Sequence, residues 1–226
     1  MDTICFETLL LCEALNEAAF EAIKAHCRVG TTETQVQNVI QTAWAQKAVC
    51  VASFSGDIVG GIRSSAIEGE ATDYVLQSGD ALIVDIQPGV GGHFADTTRT
   101  FFVGQPTDKQ RHAYAAVQKT LERLAAMLKP GVRACDIHAA MQQSLAEFEL
   151  SCPHHAGHAL GREKLLPPTF VPECTDILTE GMVVALEPGV YYEGEFGVRL
   201  ENNYRITEKG AECLSPYTLE MEDYIL

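Results

Sequence analysis

Two stretches of the chain decide its fold, ALIVDIQPGVGGHFADTTRTFFV (81–103) and MVVALEPGVYYEGEFGVRLENNYRIT (182–207). In each stretch, two runs rich in β-branched and aromatic residues are separated by a segment that contains glycine, with a Pro-Gly pair after the first run. Such runs favour β-strands, and the segment between them is typical of a turn. The sequence therefore predicts two antiparallel β-hairpins, one in each half of the chain.

Each predicted hairpin carries a pair of carboxylates. Residues that face each other in a hairpin have residue numbers with a constant sum, so Asp85 faces Asp96 if the first hairpin folds back directly after Val90. On the same rule, Glu187 faces Glu201 in the second hairpin. Facing side chains have Cβ atoms about 5 Å apart, where two negative charges repel each other. Because this arrangement occurs twice, we expect a cation between the carboxylates.

The two halves of the chain resemble each other at an offset of about 101 residues. The segment RVGT (28–31) and the apolar pattern after it match KPGV (129–132) and the pattern that follows, and the two hairpins continue the match. We interpret this as an internal duplication with a pseudo-two-fold axis, which would bring the four carboxylates to one point. We therefore expect a single domain over residues 1–226, with halves at roughly 1–106 and 107–226.

The rest of the chain predicts helices around the hairpins. Apolar spacing and capping signals predict helices over about 3–28, from Thr32, from Thr107 to the segment 129–131, and over about 134–149. A strand is expected at 49–54 and a glycine-rich loop at 56–61. Helices that pack on hairpins make an α+β fold, with a curved antiparallel sheet as its core.

Composition excludes several classes of partner. The 226-residue chain has a formal net charge of −15 and only 16 Lys and Arg, so we expect neither a nucleic-acid partner nor an anionic membrane surface. Acidic residues near the N-terminus do not fit a signal peptide, and no apolar run approaches the roughly 20 residues that span a bilayer. The eight cysteines form no C-x-x-C pair. These features predict a cytoplasmic protein with reduced thiols.

His158, in the segment HHAGHALG (154–161), is the fifth candidate ligand. Gly157 and Gly161 flank it and allow the backbone to approach a site closely. Four carboxylates and one imidazole suit a pair of divalent ions such as Mn²⁺, Co²⁺, Fe²⁺ or Zn²⁺. Two such ions about 3.5–4 Å apart share bridging ligands and convert a bridging water into a hydroxide nucleophile near neutral pH.

The ordered set of ligands resembles the signature of the pita-bread metallopeptidases, family M24, which includes methionine aminopeptidase, aminopeptidase P, prolidase and creatinase. The segments VDIQPG, FADTTRTF, LEPGVY and GVRLENNYRIT are similar to family motifs, and the resemblance covers nearly the whole chain. The short step from Glu187 to Glu201 is most similar to the prolidase and aminopeptidase P branch. The resemblance implies the pita-bread fold.

The resemblance also implies a role for each ligand. Asp85 would chelate one ion, Asp96 and Glu201 would bridge both, and His158 and Glu187 would hold the other. Glu187 would in addition act as the general base that takes a proton from the attacking water. His154 matches a substrate-site histidine of the family. The implied substrate is a peptide or small amide, and the implied assembly is compatible with a homodimer.

Several positions depart from the family pattern. Glu68 and Leu165 stand where the family's active peptidases carry histidines that bind the substrate and the tetrahedral intermediate, and Gln87 stands where glycine is usual. Loss of one such donor typically costs about 10²–10³ in rate. One interpretation is that Glu68 binds a cationic substrate group; the alternative is a solvated loop glutamate. For Arg199, close to Glu201, we favour a structural ion pair over a catalytic role.

Three hypotheses follow from these matches and departures. The first is a dinuclear metallohydrolase of the Xaa-Pro peptidase type, with a metal-bound hydroxide as the nucleophile. The second is a relative that acts on a C–N bond of a small molecule, as creatinase does. The third is a pita-bread domain without catalytic activity. On the first hairpin, we also expect Arg99 to be available for a ligand carboxylate and His93 to be exposed at the turn.

Overall fold

The computed structural model describes residues 5–47 and 54–226. The strand predicted at 49–54 lies, except for its last residue, outside the described residues. The described part of the chain contains the α-helices α1 (Phe6–His26), α2 (Glu33–Lys47), α3 (Asp108–Met127) and α4 (Ala134–Ala146). Short 3₁₀ helices cover Gly61–Ser65 and Met221–Tyr224.

The strands follow the helices in two groups, after α2 and after α4, and every pairing between the described strands is antiparallel. In chain order they are β1 (Gly56–Gly60), β2 (Ala81–Ile86), β3 (Gly89–Val90), β4 (His93–Phe94), β5 (Thr97–Phe102), β6 (Gly157–Leu160), β7 (Leu166–Thr169), β8 (Val183–Leu186), β9 (Gly189–Tyr192), β10 (Phe196–Arg199), β11 (Asn202–Thr207) and β12 (Gly210–Cys213). They form a sheet in the order β1-β2-β5, a second sheet in the order β12-β11-β8-β6-β7, and the two ribbons β3-β4 and β9-β10. The predicted α+β class is confirmed.

The two halves repeat one arrangement of strands. β2 pairs with β1 and β5 in the first half, as β8 pairs with β6 and β11 in the second. Gly56 begins β1 with φ of 143°, and Gly157 begins β6 with φ of 144°. A Cβ atom on either glycine would lie 2.0 Å from a carbonyl oxygen of the facing strand, that of Asp85 or of Ala185. Both positions therefore require glycine, which supports the predicted duplication; the boundary between the halves stays a prediction.

The register of the second hairpin agrees with the prediction. β8 and β11 pair Leu186 with Asn202, and β9 and β10 pair Gly189 with Arg199. The same register continued between these strands sets Glu187 opposite Glu201. A three-residue turn centred on a glycine closes the hairpin.

The predicted register of the first hairpin is wrong. β2 and β5 pair Asp85 with Thr98, and the ribbon pairs Val90 with His93. The chain folds back between Gly91 and Gly92, one residue later than expected, because both glycines adopt positive φ, 55° and 73°. A two-residue hairpin turn needs positive φ at both positions, and glycine supplies it without strain. Asp96 is consequently diagonal to Asp85 on the same face of the hairpin.

The helix boundaries largely follow the predicted capping signals. Thr107 and Gln110 form a capping box at the start of α3, and Thr32 and Gln35 exchange the same pair of hydrogen bonds at the start of α2. The helix α4 ends earlier than predicted, because Glu149 adopts a positive φ of 61° and that conformation is not helical.

Three local expectations are corrected. The segment from Gly56 is not a loop but the strand β1, since it pairs along its length with β2. His93 is buried, and its Nε2 accepts a hydrogen bond of 3.0 Å from the Cys5 N–H. Arg99 is also buried, but it donates to the carbonyl oxygen of Glu201 at 2.7 Å and to the Oδ1 of Asn202 at 2.7 Å instead of to a ligand carboxylate.

Each half has its own apolar core. α1 and α2 pack against β2 and β5 in the first half, and α3 and α4 pack against β8 and β11 in the second. None of the helices that the structure describes is long and apolar enough to cross a membrane. The packed helices fix the hairpins in place, and the ends of the hairpins carry the candidate ligands.

Candidate metal centre

The four carboxylates come together where the two halves meet. Asp85 lies in β2, Asp96 directly precedes β5, Glu187 directly follows β8, and Glu201 lies between β10 and β11. The Glu201 N–H donates to the Thr98 carbonyl oxygen at 3.0 Å and so joins the two hairpins. All four carboxylates are buried. The structure therefore gathers four acidic side chains in one buried place.

Each of these carboxylates has a buried oxygen without a well-formed hydrogen bond; Glu187 Oε1 has only a 3.2 Å contact with His155 Nδ1. Within the described residues, these buried atoms are Asp85 Oδ1, Asp96 Oδ1, Glu187 Oε1 and Glu201 Oε1. A buried polar atom without a partner costs about 1–3 kcal/mol, and more when the group is charged. Four such atoms in one cluster are the expected arrangement for ligands of a cation.

His158 completes the cluster with one free ring nitrogen. Its Nδ1 lies 2.9 Å from the Ala159 carbonyl oxygen and donates to it, so Nε2 carries the lone pair. Nε2 lies 3.5 Å from Asp96 Oδ2 and 3.6 Å from Glu187 Oε1. Two ligands that are each about 2.1 Å from one ion lie about 3.0–3.5 Å apart. Ligand atoms of Asp96, His158 and Glu201 all lie within 4.8 Å of one another, which suits a single ion.

The pKa values of the carboxyls reflect the mutual repulsion. Burial, followed by the charges of Asp85 and Glu187, raises the pKa of Asp96 well above its usual range. Burial and the charges of Asp96, Glu187 and Asp85 do the same for the pKa of Glu201. Burial also opposes ionisation of Glu187, but the imidazoles beside it, first that of His155, lower its pKa overall. A divalent cation would remove this repulsion.

Side chains outside the cluster hold ligand oxygens in place. Arg199 Nη2 donates to Asp85 Oδ2 at 2.9 Å, and Thr98 Oγ1 donates to Glu201 Oε2 at 2.8 Å. Arg199 is buried. Its charge is thus paired with a ligand carboxylate, and Arg199 also lines the cavity beside the ligands.

His154 is bound at both ring nitrogens. Its Nδ1 donates to the His155 carbonyl oxygen at 2.8 Å, and its Nε2 accepts from the Tyr191 hydroxyl at 2.9 Å. The Tyr191 oxygen in turn accepts from Arg199 Nη1 at 2.9 Å. Burial lowers the pKa of His154 and keeps the ring neutral. His154 therefore lines the cavity beside the ligands with both ring nitrogens already bonded within the chain.

A cavity of about 520 Å³ opens beside the ligands. Glu68 and Leu165 both line it, together with Ile67 and Lys164. Glu68 is exposed, and Leu165 is 55 % exposed. The three positions that depart from the family pattern, Glu68, Leu165 and Gln87, therefore all line this cavity.

Sequence reasoning missed two residues of the cluster. His155 Nδ1 lies 3.2 Å from Glu187 Oε1, and the pair of adjacent histidines in the sequence was a signal that could have found it. Asp57 faces Asp85 across β1 and β2, as His158 faces Ala185 across β6 and β8. Burial, followed by the charge of Asp85, raises the pKa of Asp57 to about 6. Alignment of the duplicated strands would have placed Asp57 at the position of His158.

Comparison with known proteins identifies the class to which this fold and cluster belong. The family model for metallopeptidase family M24 matches residues 8–208, and the chain belongs to that family. It is 30 % identical to the Xaa-Pro dipeptidase of Pyrococcus furiosus over 212 residues, which is 93 % of this chain and 61 % of the relative. It is 32 % identical to the uncharacterized peptidase YqhT of Bacillus subtilis over 199 residues, 87 % of this chain and 56 % of the relative.

Solved structures show the same fold. The prolidase from Pyrococcus furiosus has a TM-score of 0.89 at 28 % identity, over 94 % of this chain and 64 % of that one. The Xaa-Pro dipeptidase from Bacillus anthracis has a TM-score of 0.91 at 29 % identity, over 98 % and 62 %. The predicted pita-bread fold and the predicted family are confirmed. The chain spans about three fifths of the length of the curated relatives that it matches.

Proposed function

We propose that this chain is the catalytic domain of a metal-dependent hydrolase of the Xaa-Pro peptidase type. Five residues would hold two divalent ions, Asp85, Asp96, His158, Glu187 and Glu201. The observation that carries the proposal is the group of four buried carboxylate oxygens that lack a well-formed hydrogen bond in the described part of the chain, gathered around Nε2 of His158. A set of ligands dominated by carboxylates suits Mn²⁺, with Co²⁺, Fe²⁺ and Zn²⁺ as alternatives.

Each of these groups would have its own role in the reaction. Divalent ions at these ligands would lower the pKa of a water molecule and polarise the substrate carbonyl group. Glu187 would accept the proton of the attacking water, because the neighbouring imidazoles favour its ionised form. His155, next to that oxygen, would orient Glu187. The catalytic role of His154 stays a prediction; its contacts support a positioning role through Tyr191.

A second candidate substrate is a small amide or amidine with a cationic group. Asp57 and Glu68 line the same cavity as the ligands, and a carboxylate in place of an imidazole favours a cation over the free carboxylate of a dipeptide. Lys164 also lines this cavity, and its positive charge would instead favour a substrate carboxylate. A cytoplasmic location and a homodimeric assembly remain predictions from the sequence.

The test is a panel of substrates with controlled metal content. The protein is freed of metal with a chelator and reloaded with Mn²⁺ or Co²⁺. It is then assayed on Xaa-Pro dipeptides, on their C-terminal amides, on dipeptides without proline and on small amidines. We expect metal-dependent hydrolysis of at least one class and none after chelation. A protein that binds metal but hydrolyses no member of the panel would contradict the proposed activity.

A further inference from the structure

Gln87 occupies the position in the first half that Glu187 occupies in the second. Each residue directly follows the central strand of its half and precedes a Pro-Gly pair. The Gln87 N–H donates to the Ser55 carbonyl oxygen at 3.1 Å, and the Glu187 N–H donates to the Ala156 carbonyl oxygen at 3.1 Å. A carboxamide therefore stands in the first half where the second half provides a metal ligand.

The carboxamide of Gln87 is held at both ends. Its Nε2 donates to Asp96 Oδ2 at 3.0 Å, and its Oε1 accepts from the Ser55 hydroxyl at 2.9 Å. The orientation of the amide follows from its neighbour, because an ionised carboxylate only accepts hydrogen bonds and so must face the NH₂ group. Within the described residues, Asp96 Oδ1 makes no hydrogen bond. Gln87 thus holds one oxygen of Asp96 and leaves the other without a partner.

The same arrangement recurs at two other ligands. One oxygen of the carboxylate accepts a hydrogen bond from a side chain outside the cluster, and the second oxygen has no partner in the described part of the chain. The three donor and ligand pairs are Arg199 with Asp85, Thr98 with Glu201, and Gln87 with Asp96. Each donor fixes the plane of one carboxylate and leaves an oxygen available to a cation.

We propose that Gln87 is a positioning residue of the metal centre, which fixes Asp96 in the orientation that binds the cation. This inference rests on the proposed function, since it requires that Asp96 is a metal ligand. Glycine, the usual residue here in the family that the sequence resembles, has no side chain to make this contact. The hydrogen bond from Gln87 to Asp96 is therefore a feature of this chain and not of the family's general ligand set.

The substitution Gln87→Leu tests the inference, because leucine fills a similar volume but has no donor. Loss of an outer partner of a metal ligand typically lowers metal affinity about 10–100-fold. We expect a loss in this range for Mn²⁺. Ser55→Ala, which removes only the support of the Gln87 carboxamide, should lower the affinity in the same direction by a smaller factor.

Gln142 provides a matched control. Its carboxamide is also held at both ends, by the Cys152 carbonyl oxygen at 2.6 Å and the Cys152 N–H at 3.2 Å, but it lies on α4 outside the cluster. Gln142→Leu should lower the melting temperature of the chelator-treated protein and leave the Kd for Mn²⁺ unchanged. The control separates a general loss of stability from a specific loss at the metal centre.

The experiment is a calorimetric titration of each chelator-treated 226-residue chain with Mn²⁺, accompanied by thermal melting without metal. Weaker binding by Gln87→Leu together with unchanged binding by Gln142→Leu supports the inference. If Gln87→Leu binds Mn²⁺ as tightly as the wild type, or if both variants lose affinity equally, Gln87 is not a positioning residue. If the wild type binds no metal, the metal centre itself is wrong, and the inference is overturned together with the proposed function.

Discussion

Thr98 holds Glu201 through two hydrogen bonds that join the halves of the chain: Thr98 Oγ1 donates to Glu201 Oε2 at 2.8 Å, and the Glu201 N–H donates to the Thr98 carbonyl oxygen at 3.0 Å. The first bond fixes the side chain of a candidate bridging ligand, and the second fixes its backbone. The orientation of Glu201 therefore depends on a residue from the other hairpin.

The first prediction follows from this contact. Thr98→Val keeps the shape of the side chain but removes the donor, so we expect the affinity for Mn²⁺ to fall about 10–100-fold, as for other outer partners of metal ligands. Thr100→Val is the control, because Thr100 lies on the same face of β5 and bonds the backbone of Arg199 without contacting a ligand carboxylate. Equal affinities for the two variants in a calorimetric titration would show that Thr98 does not orient Glu201.

The second prediction concerns the general base. Glu187→Gln keeps the size of the side chain and removes its ability to accept a proton, so turnover of any substrate found should fall by about 10²–10⁴. The exposed Glu193 offers a matched control, and Glu193→Gln should leave turnover unchanged. Steady-state kinetics, with the metal content of each sample measured, check the expectation. Full activity in Glu187→Gln at full metal content would place the general base elsewhere.

The third prediction concerns the two family histidines. The double variant Glu68→His, Leu165→His restores two imidazole donors to the lining of the cavity beside the ligands. Each such donor typically contributes about 10²–10³ in rate. Hydrolysis of Xaa-Pro dipeptides by the double variant should therefore rise at least about tenfold over that of the wild type. We expect the wild type itself to hydrolyse these dipeptides poorly compared with neutral or cationic amides.

The control for this variant places the same residue type outside the cavity beside the ligands. The double variant Glu70→His, Ile177→His also replaces one exposed glutamate and one exposed aliphatic residue. It should not raise the activity. If the wild type already hydrolyses Xaa-Pro dipeptides efficiently and the double variant adds nothing, the two departures do not mark a changed specificity.

The fourth prediction concerns Glu13, a buried carboxyl on α1 that accepts hydrogen bonds from Tyr217, Asn203 and Ser215. Burial raises its pKa to about 7 from 4.5, although these donors oppose the shift. The native state therefore keeps a proton that the unfolded chain releases above pH 4.5. Stability should decrease as pH rises from about 4.5 to about 7, by on the order of 3 kcal/mol in total.

Glu13→Gln removes this titration. The free energy of unfolding of the variant minus that of the wild type should therefore be larger at pH 8 than at pH 5. Both are measured by denaturant unfolding with chelator present. The exposed Glu17, on the same helix, gives the control Glu17→Gln, for which the difference should not change with pH. A stability difference between Glu13→Gln and the wild type that is constant from pH 5 to pH 8 would show that Glu13 has an ordinary pKa.

The sequence predicted the elements that depend on local signals. The capping pairs at Thr32 and Thr107 located two helix starts, and the three-residue turn around Gly194 gave the correct register of the second hairpin. The first hairpin differs because its turn has two adjacent glycines, Gly91 and Gly92, and both can adopt positive φ. A pairing rule based on carboxylates alone did not take account of that turn.

Contacts between distant elements were harder to predict. Arg99 has several hydrogen-bond donors and lies close to the candidate ligand Asp96 in the sequence. It nevertheless donates to the backbone carbonyl oxygen of Glu201, more than a hundred residues away. The pairing of Gln87 with Asp96 depends on how the chain returns through the turn, and the sequence marks Gln87 only as an unusual residue. Such contacts follow from tertiary packing, which no local periodicity encodes.

We propose above that the four carboxylates and His158 bind divalent metal. The most direct test is an anomalous difference map from crystals grown with Mn²⁺, collected at the manganese absorption edge. We expect a strong peak between Asp96, His158 and Glu201, and a second within reach of Asp85. A map with no peak at these residues, from protein crystallised at saturating Mn²⁺, would contradict it.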